Sequence, residues 1–200
     1  MRVGTLILGM TALLTNCRHS NRLVNVRKYA PDAIFDIRYA TSNNFTHEQV
    51  YDTASCYLRE ETAEKIGAVE HALLTRGLTL RIFDCYRPLS VQKKFWALVP
   101  DDRYVADPAK GSRHNRGAAI DLTIAERNTG KDLEMGTGFD DFSPRASRDY
   151  SNLPATVLAN RRMLEQYMAA DGFTGLPTEW WHFDDNDWRK YPISDQRIPR

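Results

Sequence analysis

The run Ala118-Ala119-Ile120-Asp121-Leu122-Thr123-Ile124 constrains this chain more than any other stretch. Its apolar residues flank Asp121 on both sides, which predicts a strand buried on both faces. A carboxylate in the middle of such a strand is costly unless a partner meets it. Just upstream, Gly111-Ser112-Arg113-His114-Asn115-Arg116-Gly117 places His114 seven residues before Asp121, and Gly117, Ala118 and Ala119 remove bulk between them. A neutral imidazole and a carboxylate are the donors that a borderline-soft dication such as Zn2+ takes. Two ligands do not close a site. Glu179-Trp180-Trp181-His182 supplies a third in His182, and in Glu179 an acid suited to act on water.

Each of these residues also has a plainer reading. His114 in a Ser/Arg/Asn loop fits a surface or hydrogen-bonded core histidine, and His182 beside two tryptophans fits a packed core. Geometry adds a condition: residues three apart on a regular strand point to opposite faces. For Glu179 and His182 to share one ion, Glu179 must lie in the turn before the strand, or a bulge must intervene. Pro177-Thr178 just upstream makes the turn the natural choice.

The remaining elements fall into place around this strand. Ala33 to Tyr39 reads as a short strand ending in a polar turn, with Tyr39 on local grounds a packed aromatic. Ser55 to Arg76 reads as a helix, with Glu60 and Glu61 in its first turn, Ile66, Val69, Leu73 and Leu74 inward, and Gly77 at its end. Leu78 to Phe83 is a strand running into Asp84-Cys85-Tyr86-Arg87-Pro88, where the proline stops the ladder and leaves Arg87 pinned at a strand end. Ser90 to Leu98 is a short helix with Val91, Phe95 and Leu98 inward, and Pro100 to Arg113 is loop. Pro154 to Asp171 is a second long helix, with Val157, Leu158, Leu164, Tyr167 and Met168 inward. Glu179 to Phe183 is a short aromatic strand, and the polar tail after Asp184 wraps the surface. Met135 to Phe142 is Gly-rich but lacks the lysine and spacing of a phosphate loop. The order is mixed, not strictly alternating βα, so the expected class is α+β with a largely antiparallel sheet flanked by helices.

A length of 200 residues suits one domain, and 42% apolar content is enough for a core. The formal charge of +1 gives no bulk electrostatic case for nucleic acid or an anionic membrane. Residues 1–17 differ from the rest: Arg2 is followed by a short apolar stretch ending in Leu14-Thr15-Asn16-Cys17. That pattern describes an export signal, with Cys17 placed as in a bacterial lipobox although Asn16 departs from the usual small residue. The expected globular domain is then 22–200, outside the cytoplasm, with membrane contact only through an N-terminal lipid. In an oxidising compartment Cys56 and Cys85 form an even pair that either bridges or stays as two buried thiols.

Taken together, the motifs resemble the VanX-like D-alanyl-D-alanine dipeptidases, within the wider group of zinc D,D-peptidases. The resemblance rests on Tyr39-Ala40-Thr41 with Asn44-Phe45, Asp84 through Tyr86-Arg87-Pro88, Ser112-x-His114-x-Arg116-Gly117 through Asp121-Leu122-Thr123, Met135-Gly136 through Phe139-Asp140, and Glu179-Trp180-Trp181-His182. These match in order and spacing from about residue 25 to 190. The resemblance implies a hedgehog/D,D-peptidase-like fold and one Zn2+ per subunit on His114, Asp121 and His182. It implies Glu179 as general base and Arg87 as oxyanion donor. For a small zwitterionic substrate, D-Ala-D-Ala, it implies Asp140 and Tyr39 at the ammonium, Ser112 at the other end, and Trp180 as a wall. An exported form fits cell-wall dipeptide turnover better than glycopeptide resistance. A D,D-carboxypeptidase or endopeptidase acting on longer stem peptides is the competing enzyme reading. A zinc-stabilised wall-peptide binding module competes from outside enzymes, though it would need neither Glu179 nor Arg87.

Overall fold

The computed structural model describes residues 21–199, so the expected export signal and lipobox lie outside the described residues. In chain order the elements are β1 (Leu23–Asn25), β2 (Ile34–Phe35), β3 (Tyr57–Arg59), α1 (Glu60–Leu74), β4 (Leu78–Asp84) and α2 (Leu89–Leu98). After them come β5 (Ala119–Glu126), α3 (Ala155–Ala170), β6 (Phe173–Gly175) and β7 (His182–Asp185). Five strands form one sheet in the order β2-β4-β5-β7-β6, antiparallel except for the edge pair β2–β4. Strands β1 and β3 form a separate antiparallel ribbon. The fold is α+β with a mostly antiparallel sheet, as expected.

The run around Asp121 becomes the middle strand β5, buried from Ala119 through Ala125. Helix α1 packs against β4, and α3 packs against β6 and α1. Ile66, Val69 and Leu73 of α1, and Leu164 and Met168 of α3, are fully buried in the core that β4 and β5 enter with Leu80, Ile82, Leu122 and Ile124. Cys56 and Cys85 are joined by a disulfide, with Cα atoms 5.4 Å apart, which ties the chain just before β3 to the end of β4. Among the described residues no helix is long and apolar enough to cross a membrane.

Several local expectations change. The first helix starts at Glu60, because Tyr57–Arg59 pairs with β1 and the Arg59 amide donates to Gly117 O. The strand expected over Ala33 to Tyr39 shrinks to Ile34–Phe35, and Arg38–Ala40 turns into a 3-10 helix that carries Tyr39 inward. Leu98 closes α2 at 59% exposure, so it is not a core residue. In α3 the buried position between Val157 and Leu164 is Arg161, whose guanidinium donates to the carbonyls of Met135, Ser147 and Arg145 at 2.8–3.1 Å. Leu158 and Tyr167 are only half-buried. The tail wraps the surface but also contributes buried Tyr191 and Ile198, and Tyr86 Oη ties it down by donating to Gln196 O.

Candidate active site

Strand register assembles the centre of the site. Asp84 of β4 lies opposite Asp121 of β5, and Asp121 lies opposite His182 of β7. His114 arrives from a 3-10 turn over His114–Arg116, which Gly117 reverses at φ 68°. Glycine is required there twice over: the backbone is left-handed, and a Cβ would stand 2.6 Å from Leu23 Cδ2. Buried Asn115 staples the turn, its Oδ1 accepting from the Ser112 amide and its Nδ2 donating to Arg87 O, each at 2.8 Å.

The result is a small triangle of donor atoms. His114 Nε2 and His182 Nδ1 are 3.1 Å apart, His182 Nδ1 and Asp121 Oδ1 are 3.1 Å apart, and His114 Nε2 and Asp121 Oδ1 are 3.4 Å apart. Ligands of a tetrahedral zinc ion stand about 3.3 Å from one another. The outer nitrogens fix the tautomers. His114 Nδ1 is 2.6 Å from Cys85 O, and a carbonyl only accepts, so Nδ1 carries the proton and Nε2 turns its lone pair inward. His182 Nε2 donates to Asp184 Oδ1 at 2.9 Å, which leaves the Nδ1 lone pair inward as well. Two nitrogen lone pairs and a carboxylate oxygen converging at such distances repel unless something positive lies between them. The donor set fits a divalent cation.

Burial opposes the charge on His182, yet Asp184 and Asp121 push its pKa up to about 10. Burial also opposes charge on Asp121, but His114 and His182 hold it below the usual carboxylate range.

Glu179, Arg87, Tyr39, Asp140 and Ser112 gather on the same cavity, of about 90 Å3, which also borders the three ligands. Glu179 sits in the turn before β7, the first of the two geometries open to it, with Oε2 3.9 Å from His182 Nδ1. Burial pushes its pKa up to about 8, against the pull of His182. Arg87 is buried and rigid: Nη2 and Nε donate to Asp84 Oδ2 at 2.7 and 3.1 Å, Nη1 donates to Gln92 Oε1, and the Phe95 ring lies 4.7 Å beneath. Tyr39 Oη donates to Asp140 Oδ2 at 2.9 Å and Oδ1 at 3.2 Å. Asp140 is the cavity acid, since Asp141 instead accepts from the Ser143 amide. Burial, and then Asp121, raise the Asp140 carboxyl well above its usual range. Ser112 lines the cavity while its Oγ accepts from the His114 amide.

One expected residue is displaced. Trp181, not Trp180, lines this cavity. Both tryptophans lie in the bend before β7, and Trp180 turns to the far side, where its Nε1 donates to Thr137 Oγ1. Asp184, Asp84 and Asn115 hold functional groups in place without having been singled out as site residues. Only the i, i+2 spacing of His182 and Asp184 on one strand could have pointed to the first. The loop Asp102–Ala106 also borders the cavity, latched by Thr178 Oγ1 donating to Arg103 O at 3.0 Å.

The chain matches the family Peptidase_M15, described as D-ala-D-ala dipeptidase, over residues 19–199. A D-alanyl-D-alanine dipeptidase of Escherichia coli (strain K12) is 34% identical over 174 residues, covering 87% of this chain and 90% of that protein. One from Enterococcus faecium is 31% identical over 180 residues, covering 80% and 89%. One from Streptomyces coelicolor is 31% identical over 169 residues, covering 74% and 84%.

Proposed function

We propose a reaction for this chain from the premise that it belongs to the D-ala-D-ala dipeptidase family and is a dipeptidase: the zinc-dependent hydrolysis of free D-Ala-D-Ala to two D-alanines. The observation that carries this reading is the donor triangle with Glu179 and Arg87 on the same cavity. His114, Asp121 and His182 would hold one Zn2+ per chain. Zinc there supplies Lewis acidity toward water and toward the peptide carbonyl.

The protein's own groups do the rest. Glu179 accepts a proton from the attacking water and delivers it to the leaving amine as the C–N bond breaks. A buried carboxyl with a high proton affinity suits both halves of that transfer. Arg87 is aimed at the charge that develops on the carbonyl oxygen. Its ties to Asp84 and Gln92 are made in advance, so little reorganisation accompanies the reaction. At the amino end Asp140, oriented by Tyr39, offers a carboxylate to an ammonium, and Ser112 offers a hydroxyl at the other end. A buried acid is stable as an anion only beside a cation, which favours a free ammonium over an acylated nitrogen. The small cavity agrees with a substrate of dipeptide size.

We also place the reaction outside the cytoplasm, in wall-dipeptide turnover. The support is the basic-then-apolar leader at residues 1–17 and the Cys56–Cys85 disulfide, a bond that persists in oxidising compartments. The test of the reaction is hydrolysis of D-Ala-D-Ala by the purified chain with zinc and with a chelator. Turnover that zinc restores after chelation supports the reading. Preference for the N-acetylated dipeptide over the free one would refute it.

A further inference from the structure

A second cavity adjoins the catalytic one and plays no part in the reaction above. Its volume is about 210 Å3, and Arg38, Asn43 and His47 are among its walls. Ser42, Asn43 and His47 are exposed, so it opens to solvent. Phe45 and Asp140 line both cavities and therefore form the wall between them. Tyr39 holds Asp140 through both carboxylate oxygens. Phe45 is held by ring contacts to Phe95 and Phe142, with centroids 5.0 and 5.4 Å away. Among the described residues, His47 (φ 56°) and Asp140 (φ 60°) are the non-glycine positions with left-handed backbone, and both line this second cavity. Backbone of that kind is disfavoured and gathers where a site over-determines it.

We propose that the second cavity is a berth for an acyl or peptidyl extension on the amine of D-Ala-D-Ala, and that Phe45 with Asp140 closes it in the native chain. This rests on the dipeptidase reading, which puts the substrate ammonium at Asp140. With the ammonium at Asp140, the space on the far side of Phe45 and Asp140 is this cavity. Its walls suit a peptide better than an apolar chain: Arg38 and Asn43 bring donors for carbonyls and carboxylates, and His47 brings a polar ring. The dividing wall is an aromatic ring on one side and, on the other, a carboxyl already held by Tyr39.

The test compares kcat/KM on D-Ala-D-Ala and on N-acetyl-D-Ala-D-Ala for the zinc-loaded full chain and its Phe45→Ala variant, with zinc stoichiometry as the check on folding. The expected result is a rise of about tenfold or more in the ratio of acetylated to free substrate, carried by a lower KM for the acetylated one. Phe45→Leu, which keeps an apolar plug in the ring cluster, shifts the ratio the same way by less. Adding Asn43→Trp to Phe45→Ala refills the second cavity and reverses the gain. An unchanged ratio in a zinc-binding Phe45 variant, or a gain that Asn43→Trp leaves intact, overturns the proposal. A native chain inert on D-Ala-D-Ala overturns the dipeptidase reading itself, and this inference with it.

Discussion

The two ends of the catalytic cavity are built in different ways. At the metal end, Asp121 and His182 stand opposite each other on paired strands, and His114 is locked by a backbone carbonyl. At the amino end, Asp140 sits in a Gly-rich loop on left-handed backbone, and a single tyrosine hydroxyl orients it. In the proposed reaction the sheet fixes two of the three converging donors and a braced turn the third, while loops carry the groups that would choose the substrate. If that division is real, changes at the metal end should abolish chemistry or metal binding, and changes at the amino end should move KM.

The largest effect belongs to His182→Ala. It removes one corner of the triangle, so the expected outcome is loss of bound zinc and activity at background, read by metal analysis beside the dipeptidase assay. Glu179→Gln should leave zinc stoichiometry intact and lower kcat by about 100- to 10,000-fold. Survival of turnover in that variant would remove Glu179 from the mechanism. Asp184→Asn, which weakens the grip on His182 Nε2, should cost about 10- to 100-fold in zinc affinity, measured by competition with a chelating dye. Tyr39→Phe tests the other end: losing one hydrogen bond to Asp140 should raise KM about five- to tenfold with kcat nearly unchanged. A fall in kcat alone would erase the distinction between the two ends.

A smaller effect distinguishes them by pH. In the metal-free chain Glu179 is raised from 4.5 to about 8 and His182 from 6.5 to about 10. A raised folded-state pKa gives stability that is complete below the unfolded value and disappears as pH climbs through the folded one. The metal-free fold should therefore weaken between about pH 5 and about pH 10. Zinc needs its ligands deprotonated, so its stabilisation should grow over the same range. Tm with zinc and with a chelator at about pH 6 and about pH 9 measures this. A gap that does not widen with pH would contradict the assignment of these protons.

Sequence made the metal end legible and the amino end less so, for physical reasons. Asp121 announced itself because a carboxylate in a doubly buried strand requires a partner, and the spacing of His114, Glu179 and His182 completed the set. Asp184 stayed hidden because an acid at the end of a strand reads as a surface residue until its partner is known. The choice between Trp180 and Trp181 could not be made from period two alone, since Glu179 lies off the ladder and supplies no phase. In the sequence, strand β3 reads as part of the first helix because three residues preceding a strong helical pattern show no break. Its ladder partner β1 lies far upstream. The dividing wall of Phe45 and Asp140 joins two loops distant in sequence, and no local pattern connects them.

The most direct test is a crystal structure of the zinc-loaded full chain. It should show one ion bonded to His114 Nε2, Asp121 Oδ1 and His182 Nδ1, with Glu179 beside it and outside its ligand set. Zinc bound elsewhere, or held through Glu179 in place of one of those three, would contradict the account.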